Sequence, residues 1–196
     1  MNRKAIINRK TKETDITVSL NLDGIGKKEI DTPIGFLNHM LDLFAKHGLF
    51  DLNVKATGDI YIDEHHTVED IGIVLGEAFA KALGDKRGIN RYGFFILPMD
   101  EALATVAIDF GGRYSFTFDC QFNREKVGDV STELVYDFWD AFAQNAKINL
   151  CIKVENGRND HHKIEAIFKS VARAMRKACE KDERMKDQVP STKGVL

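Results

Sequence analysis

The sequence predicts an α+β fold built from two duplicated half-domains, each a two-layer sheet/helix sandwich, related by a pseudo-two-fold axis. Three observations carry this. An Asp-His-His-x-x-Glu frame with at most one residue after the Asp occurs twice, as DEHHTVED (63–70) and NDHHKIEA (159–166). The match extends upstream in the same order: residues 13–24 align with 101–112, 39–45 with 137–143, and 51–55 with 149–153. Within each half the apolar period changes from two to about 3.6 residues, so strands give way to helices in both copies. Residues 1–88 form the first half-repeat, and residues 89–196 form the second, which carries a C-terminal tail.

Taken in order, Ile16, Val18, Leu20 and Leu22 alternate with polar residues, as in a half-buried strand. Phe36, Met40, Leu43 and Phe44 fall at helical spacing over 36–47. Leu52 and Val54 mark a short strand, and Val68, Ile71, Leu75, Phe79 and Leu83 mark a helix over 65–83. GDKRG (84–88) reads as the turn that closes the half. The second half repeats the pattern with strands at Val106, Ile108, Phe110 and at Tyr114, Phe116, Phe118. A helix over 132–146, a strand at Leu150 and Ile152, and a helix over 161–180 follow. Strands, helix, strand, helix in each copy give sheets covered by helices.

Composition excludes several classes. The 196 residues carry 28 Lys+Arg against 30 Asp+Glu, a net charge of −2, which offers no electrostatic attraction to nucleic acid or to an anionic membrane. No uncharged run reaches the roughly 18 residues of a membrane span. The start MNRKAIINRK lacks the apolar region of a secretory signal. Cys120, Cys151 and Cys179 are odd in number and unpaired in spacing, so a reducing, cytoplasmic setting is expected.

The paired His-His-x-x-Glu motifs carry the chemistry. On a helix, His65 and Glu69 share a face and can grip one ion, while His66 points about 100° away. His161, Glu165 and His162 repeat this. Two such motifs can trade their spare histidines, giving two ions that each take a His and a Glu from one motif and a His from the other. Imidazole with carboxylate and no thiolate suits Mn²⁺, Fe²⁺ or Zn²⁺. The ordinary alternative is a repeated helix start, with Asp63, Glu64 and Asp160 favouring the helix dipole and the histidines as polar surface. His39 and Asp137 superpose in the repeat and are candidate outer ligands. His47 lies two turns beyond His39, on the same face.

Among basic residues, Lys169, Arg173, Arg176 and Lys177 form a row that reads either as a solvated helix face or as an anion site. Arg91 and Arg113 sit beside glycine and aromatic residues, and the tail PSTKGVL (190–196) suits an anion clamp or a frayed terminus. No Walker or dinucleotide glycine pattern occurs.

Several segments together resemble the imidazoleglycerol-phosphate dehydratase family from about Arg3 to Leu196: GFLNHMLDLFAKHG, DEHHTVED, RYGF–MDEAL–FGGRY, NDHHKIEAIFKSVARAMR and PSTKGVL. The resemblance implies a ribosomal-protein-S5-domain-2-like fold and, from the length, the monofunctional form. It implies two Mn²⁺ ions per active site at subunit interfaces of a 24-chain assembly. One ion would take His39, His66, His161 and Glu165; the other His65, Glu69, His162 and residue 137. The family usually has His at that position, and this chain has Asp137, itself a competent ligand for a hard ion. Arg91, Arg113, Lys169, Ser191, Thr192 and Lys193 would hold the substrate phosphate. Asp42 and His47 lie in the substrate-contacting helix, and Glu13 is the candidate acid/base. The implied reaction is dehydration of D-erythro-imidazole-glycerol phosphate to imidazole-acetol phosphate in histidine biosynthesis. Imidazolate held between the metals would expel the adjacent hydroxyl, giving a diazafulvene-like intermediate, and Glu13 would then remove the proton. Two other classes use the same ligands: a dinuclear metallohydrolase that activates water, and a non-enzymatic shell in which ions only staple subunits.

Overall fold

The computed structural model describes residues 3–186 and 188–196. The first half runs β1 (Lys4–Lys10), β2 (Thr14–Asn21), β3 (Lys28–Asp31), α1 (Gly35–Gly48), β4 (Asp51–Gly58) and α2 (His65–Leu83). The second runs β5 (Tyr92–Met99), β6 (Ala102–Asp109), β7 (Ser115–Asp119), the short β8 (Lys126–Val127) and β9 (Val130–Ser131), α3 (Leu134–Ala146), β10 (Asn149–Asn156) and α4 (Asp160–Cys179). The sheet order β1-β2-β4-β3 recurs as β5-β6-β10-β7. In each sheet the first three neighbours are antiparallel, and the last pair, β3 with β4 or β7 with β10, is parallel across a helical crossover. The duplication reaches the backbone: Leu49 after α1 and Lys147 after α3 both take the left-handed conformation, at φ 55° and 54°. That conformation is costly for a residue with a Cβ, and both helices use it to turn into the following strand.

Each half is a two-layer unit, and the halves join through their helices. α2 packs on β1, β2 and β4, α4 packs on β5, β6 and β10, α2 meets α3, and α1 meets α4. The helices therefore lie between the two sheets, which explains why α2 is buried on nearly every side. Sequence explains how closely α2 and α3 approach. A Cβ on Gly72 would lie 2.6 Å from the Phe138 carbonyl oxygen, and one on Gly76 would lie 2.5 Å from that of Phe142. Around this contact Phe44, Phe50, Phe79, Trp139 and Phe142 form a continuous aromatic cluster with mostly edge-on or tilted rings, such as Phe50–Phe79 at 5.1 Å and Phe79–Phe142 at 5.6 Å between centroids. Among the described residues no helix is long and apolar enough to cross a membrane.

Candidate metal centre

The helix pairing decides which side chains meet. Because α4 packs on α1, His161 and Glu165 near the start of α4 converge with His39 on α1. His161 Nε2 is 3.2 Å from Glu165 Oε2, and His39 Nε2 is 3.8 Å from the same oxygen. One donor atom from each of the three lies within 4.8 Å of the others. Because α2 packs on α3, His65, 3.9 Å from Glu69, comes near enough to Asp137 for its charge to be felt there. Burial raises the Asp137 carboxyl above its usual range, and the nearby His65 opposes that. The repeat alignment sets His39 and Asp137 in equivalent places, but among the described residues the second group whose ligand atoms lie within 4.8 Å of one another is Glu13, Asp59 and His66.

The exchange of spare histidines expected from helix angles is not made within one chain. His66 turns instead to Asp59, with Nδ1 3.1 Å from Oδ2, and lies 3.9 Å from Glu13. His162 turns to Glu101 at 2.7 Å and to Asp100 at 3.5 Å. α2 and α4 each pair chiefly with the first helix of the opposite half, and their spare histidines find carboxylates nearer at hand. Each set therefore lacks the histidine that the exchange would bring, His66 for the set at His161 and Glu165 and His162 for the set at His65 and Glu69.

Electrostatics sharpen the site. Hydrogen bonding to Asp59 raises His66 above its ordinary value, helped by the Glu13 charge. Hydrogen bonds from His162 and from the backbone N–H of Asn159 and Arg158 bring the Glu101 carboxyl down to about 2. Glu165 is buried, which opposes its charge, yet the Lys169 ammonium and His161 hold its carboxyl below the usual range. His47 is half-buried, and burial together with Lys169 and Arg173 lowers its pKa, so it is neutral at pH 7. Imidazoles and carboxylates converging without thiolate fit a borderline or hard divalent ion such as Mn²⁺.

The remaining sequence-derived residues are more dispersed. Lys169 is ion-paired with Glu165, and its Nζ is 3.4 Å from Met99 Sδ. Arg91 makes a two-point pair with Asp109, at 2.6 and 3.0 Å, and donates Nη1 to the Pro190 carbonyl at 2.9 Å. It therefore anchors the tail that carries Ser191, Thr192 and Lys193, of which Thr192 and Lys193 are exposed. Arg113 is also exposed, and Asp42 is paired with Lys28. Sequence reasoning missed Asp59 and Glu101. The repeat alignment carried a signal for Glu101, which it sets opposite Glu13. It carried none for Asp59, because the residue following β10 is Gly157.

The family model for imidazoleglycerol-phosphate dehydratase matches residues 32–175. The chain is 56% identical over 196 residues to the imidazoleglycerol-phosphate dehydratase of Acetivibrio thermocellus, covering 100% of both. It is 55% identical over 194 residues to that of Rhodopirellula baltica, covering 99% of this chain and 96% of the relative. It is also 56% identical to the histidine biosynthesis bifunctional protein of Spirosoma linguale, of which it spans 50%. The crystal structure of imidazoleglycerol-phosphate dehydratase from Staphylococcus aureus superposes with a TM-score of 0.82 at 40% identity, covering 91% of this chain and 100% of that one. That from Pyrococcus furiosus gives 0.83 at 36% identity, covering 97% and 100%. The same architecture, the full-length identity and the duplicated His-His-x-x-Glu helices agree: the chain belongs to the imidazoleglycerol-phosphate dehydratase family and is a hydro-lyase.

Proposed function

We propose that the protein removes water from D-erythro-imidazole-glycerol phosphate, giving imidazole-acetol phosphate in histidine biosynthesis, with two Mn²⁺ ions per active site. The observation that carries the reading is the convergence of His39, His161 and Glu165 from two helices on one point, in a member of this family. His39, His161 and Glu165 would hold one ion, and His65, Glu69 and Asp137 the other. The fourth place in each set falls to His66 and His162 of neighbouring copies, since neither reaches the opposite cluster in its own chain. Exposed apolar side chains support self-association: Ile60, Tyr61 and Ile62 beside the site, and Tyr92, Phe94 and Ile96 on β5. A 24-chain assembly with active sites at subunit interfaces accommodates this sharing. The three free cysteines suit a cytoplasmic setting.

When bound, the ions would supply Lewis-acid stabilisation of the deprotonated substrate imidazole, the electron-rich form that can expel the adjacent hydroxyl. The protein's own residues do the rest. Glu13 is exposed beside His66 and accepts the proton lost from carbon. The ring N–H proton, displaced as the ring becomes electron-rich, leaves with the hydroxyl as water; the carbon proton taken by Glu13 returns to the ring, and the enol that remains tautomerises to the ketone. His47, kept neutral, accepts a hydrogen bond from the substrate, and Asp42 on the same helix orients it. Arg91, Arg113, Lys169, Ser191, Thr192 and Lys193 hold the remote phosphate and fix geometry through it.

The test is turnover by metal-stripped protein with and without Mn²⁺. Turnover should vanish on stripping and return with Mn²⁺, and a ketone should form without free phosphate. Release of phosphate would point to a metallohydrolase, and undiminished turnover after stripping would refute the metal assignment.

A further inference from the structure

We infer that the β8–β9 hairpin braces the metal centre, with Asp129, Glu64 and Asp160 as positioning residues. The inference rests on the metal-ligand reading above. The hairpin breaks the repeat: residues 32–34 join β3 to α1, whereas residues 120–133 separate β7 from α3. This added segment binds the starts of all three helices that bear the histidines.

At α1 the N-cap residue Ile34 makes no side-chain cap. Asp129 supplies one from far along the chain, accepting from Gly35 N at 2.6 Å and Phe36 N at 2.9 Å. Two otherwise orphaned donors and the helix dipole are satisfied one turn before His39. At α2, Glu64 is buried directly before His65 and accepts from Ser131 N (2.8 Å), Ser131 Oγ (2.6 Å) and Lys126 Nζ (3.0 Å). At α4, Asp160 is fully buried directly before His161 and accepts from Asn123 N and Arg124 N, each at 2.8 Å. The repeat sets Glu64 and Asp160 opposite each other, so equivalent carboxylates grip the two flanks of one insertion.

Apolar contacts complete the brace. Val127 and Val130 are buried in the core. Gly128, at φ +61°, sits so close that a Cβ would lie 2.9 Å from the Phe36 Cβ. The Phe36 ring in turn meets the His161 ring edge-on at 5.2 Å. Displacing the hairpin therefore moves His161 by contact and His39 through the start of α1. A metal site whose ligands are intact but loosely oriented binds its ion less tightly.

The test is a Mn²⁺ titration of the full chain by electron paramagnetic resonance, alongside thermal melting of the metal-free protein. Asp129→Ala should weaken Mn²⁺ binding about ten-fold. Asp129→Asn should restore part of it, because its carbonyl can still accept one N–H. Ile152→Val, in the core of β10, should lower the melting temperature and leave Mn²⁺ affinity unchanged. Binding by Asp129→Ala within about two-fold of the unaltered protein would overturn the brace. So would a loss of affinity in Ile152→Val that merely tracks its melting temperature. If Asp129→Ala does not fold, Ser131→Ala removes one grip on Glu64 and should give a smaller weakening; unchanged affinity there also overturns it. An unaltered protein that binds no Mn²⁺ defeats the metal reading itself, which is a separate result.

Discussion

Replacing Glu165 by Gln tests the centre at its most connected point. The side chain is 9% exposed and takes the Lys169 ammonium, His161 and His39 on one carboxylate. Without metal, the substitution turns an ion pair into a hydrogen bond from a charged donor to a neutral acceptor and leaves Lys169, 15% exposed, without its counter-charge. Hydrogen bonds to charged groups are worth about 1.5–3 kcal/mol. The Gln carbonyl can still accept from Lys169, so the lower part of that range applies, about 1.5–2 kcal/mol. For a chain of this size each kcal/mol shifts melting by about 2–4 °C, so the metal-free variant should melt about 3–8 °C lower. With metal the effect is larger in kind. The cluster loses its one anionic ligand, and its Mn²⁺ affinity should fall by more than about 100-fold, because even outer partners of ligands contribute about 10–100-fold. Calorimetry of the stripped protein and a Mn²⁺ titration read the two effects separately. A variant that melts within a degree of the parent and binds the same number of ions with the same affinity would refute both the Lys169–Glu165 pairing and the cluster.

Two further outcomes follow from the fold. Gly76→Ala should destabilise despite the better helix propensity of alanine, because its Cβ meets the backbone of α3 at 2.5 Å and the helices must part. Overpacking of about 1–3 kcal/mol outweighs a propensity gain of about 1 kcal/mol or less, and urea unfolding of the metal-free protein measures the difference; a variant more stable than the parent would contradict the close approach. Asp51 accepts from Ile25 N and Lys27 N at 2.9 and 3.0 Å, and these bonds hold its carboxyl below the usual range. The folded carboxyl therefore titrates below the unfolded one, so its stabilisation is whole above the unfolded value and is lost as pH falls through the folded value. Asp51→Ala should cost about 1 kcal/mol at neutral pH, with the gap to the parent closing in acid; a gap independent of pH would rule out the charged bonds.

Much of the architecture was legible because it is local. The apolar stripe from Val68 to Leu83 needs only a helical period, and α2 spans His65–Leu83 as the pattern predicts. The alternation at Ile16–Leu22 and at Val106–Phe110 likewise became β2 and β6. β5 was not read, since its run YGFFILPM is apolar at most positions and gives no alternation. β8 and β9 are two residues each, too short for any period.

At the site, the sequence by itself determined that His65 shares a face with Glu69, and His161 with Glu165, because the turn of a helix fixes the four-residue spacing. It also determined that His66 and His162 point elsewhere. Only the tertiary structure decided what each pair meets. Gly72 and Gly76 let α2 close on α3, and α4 lies against α1, so His39 joins His161 and Asp137 comes near His65. It also decided that Asp59 and Glu101 take the spare histidines, and that a hairpin centred on Asp129 holds the helix starts. Helical spacing is a property of neighbouring residues, whereas these meetings depend on how closely whole helices can pack.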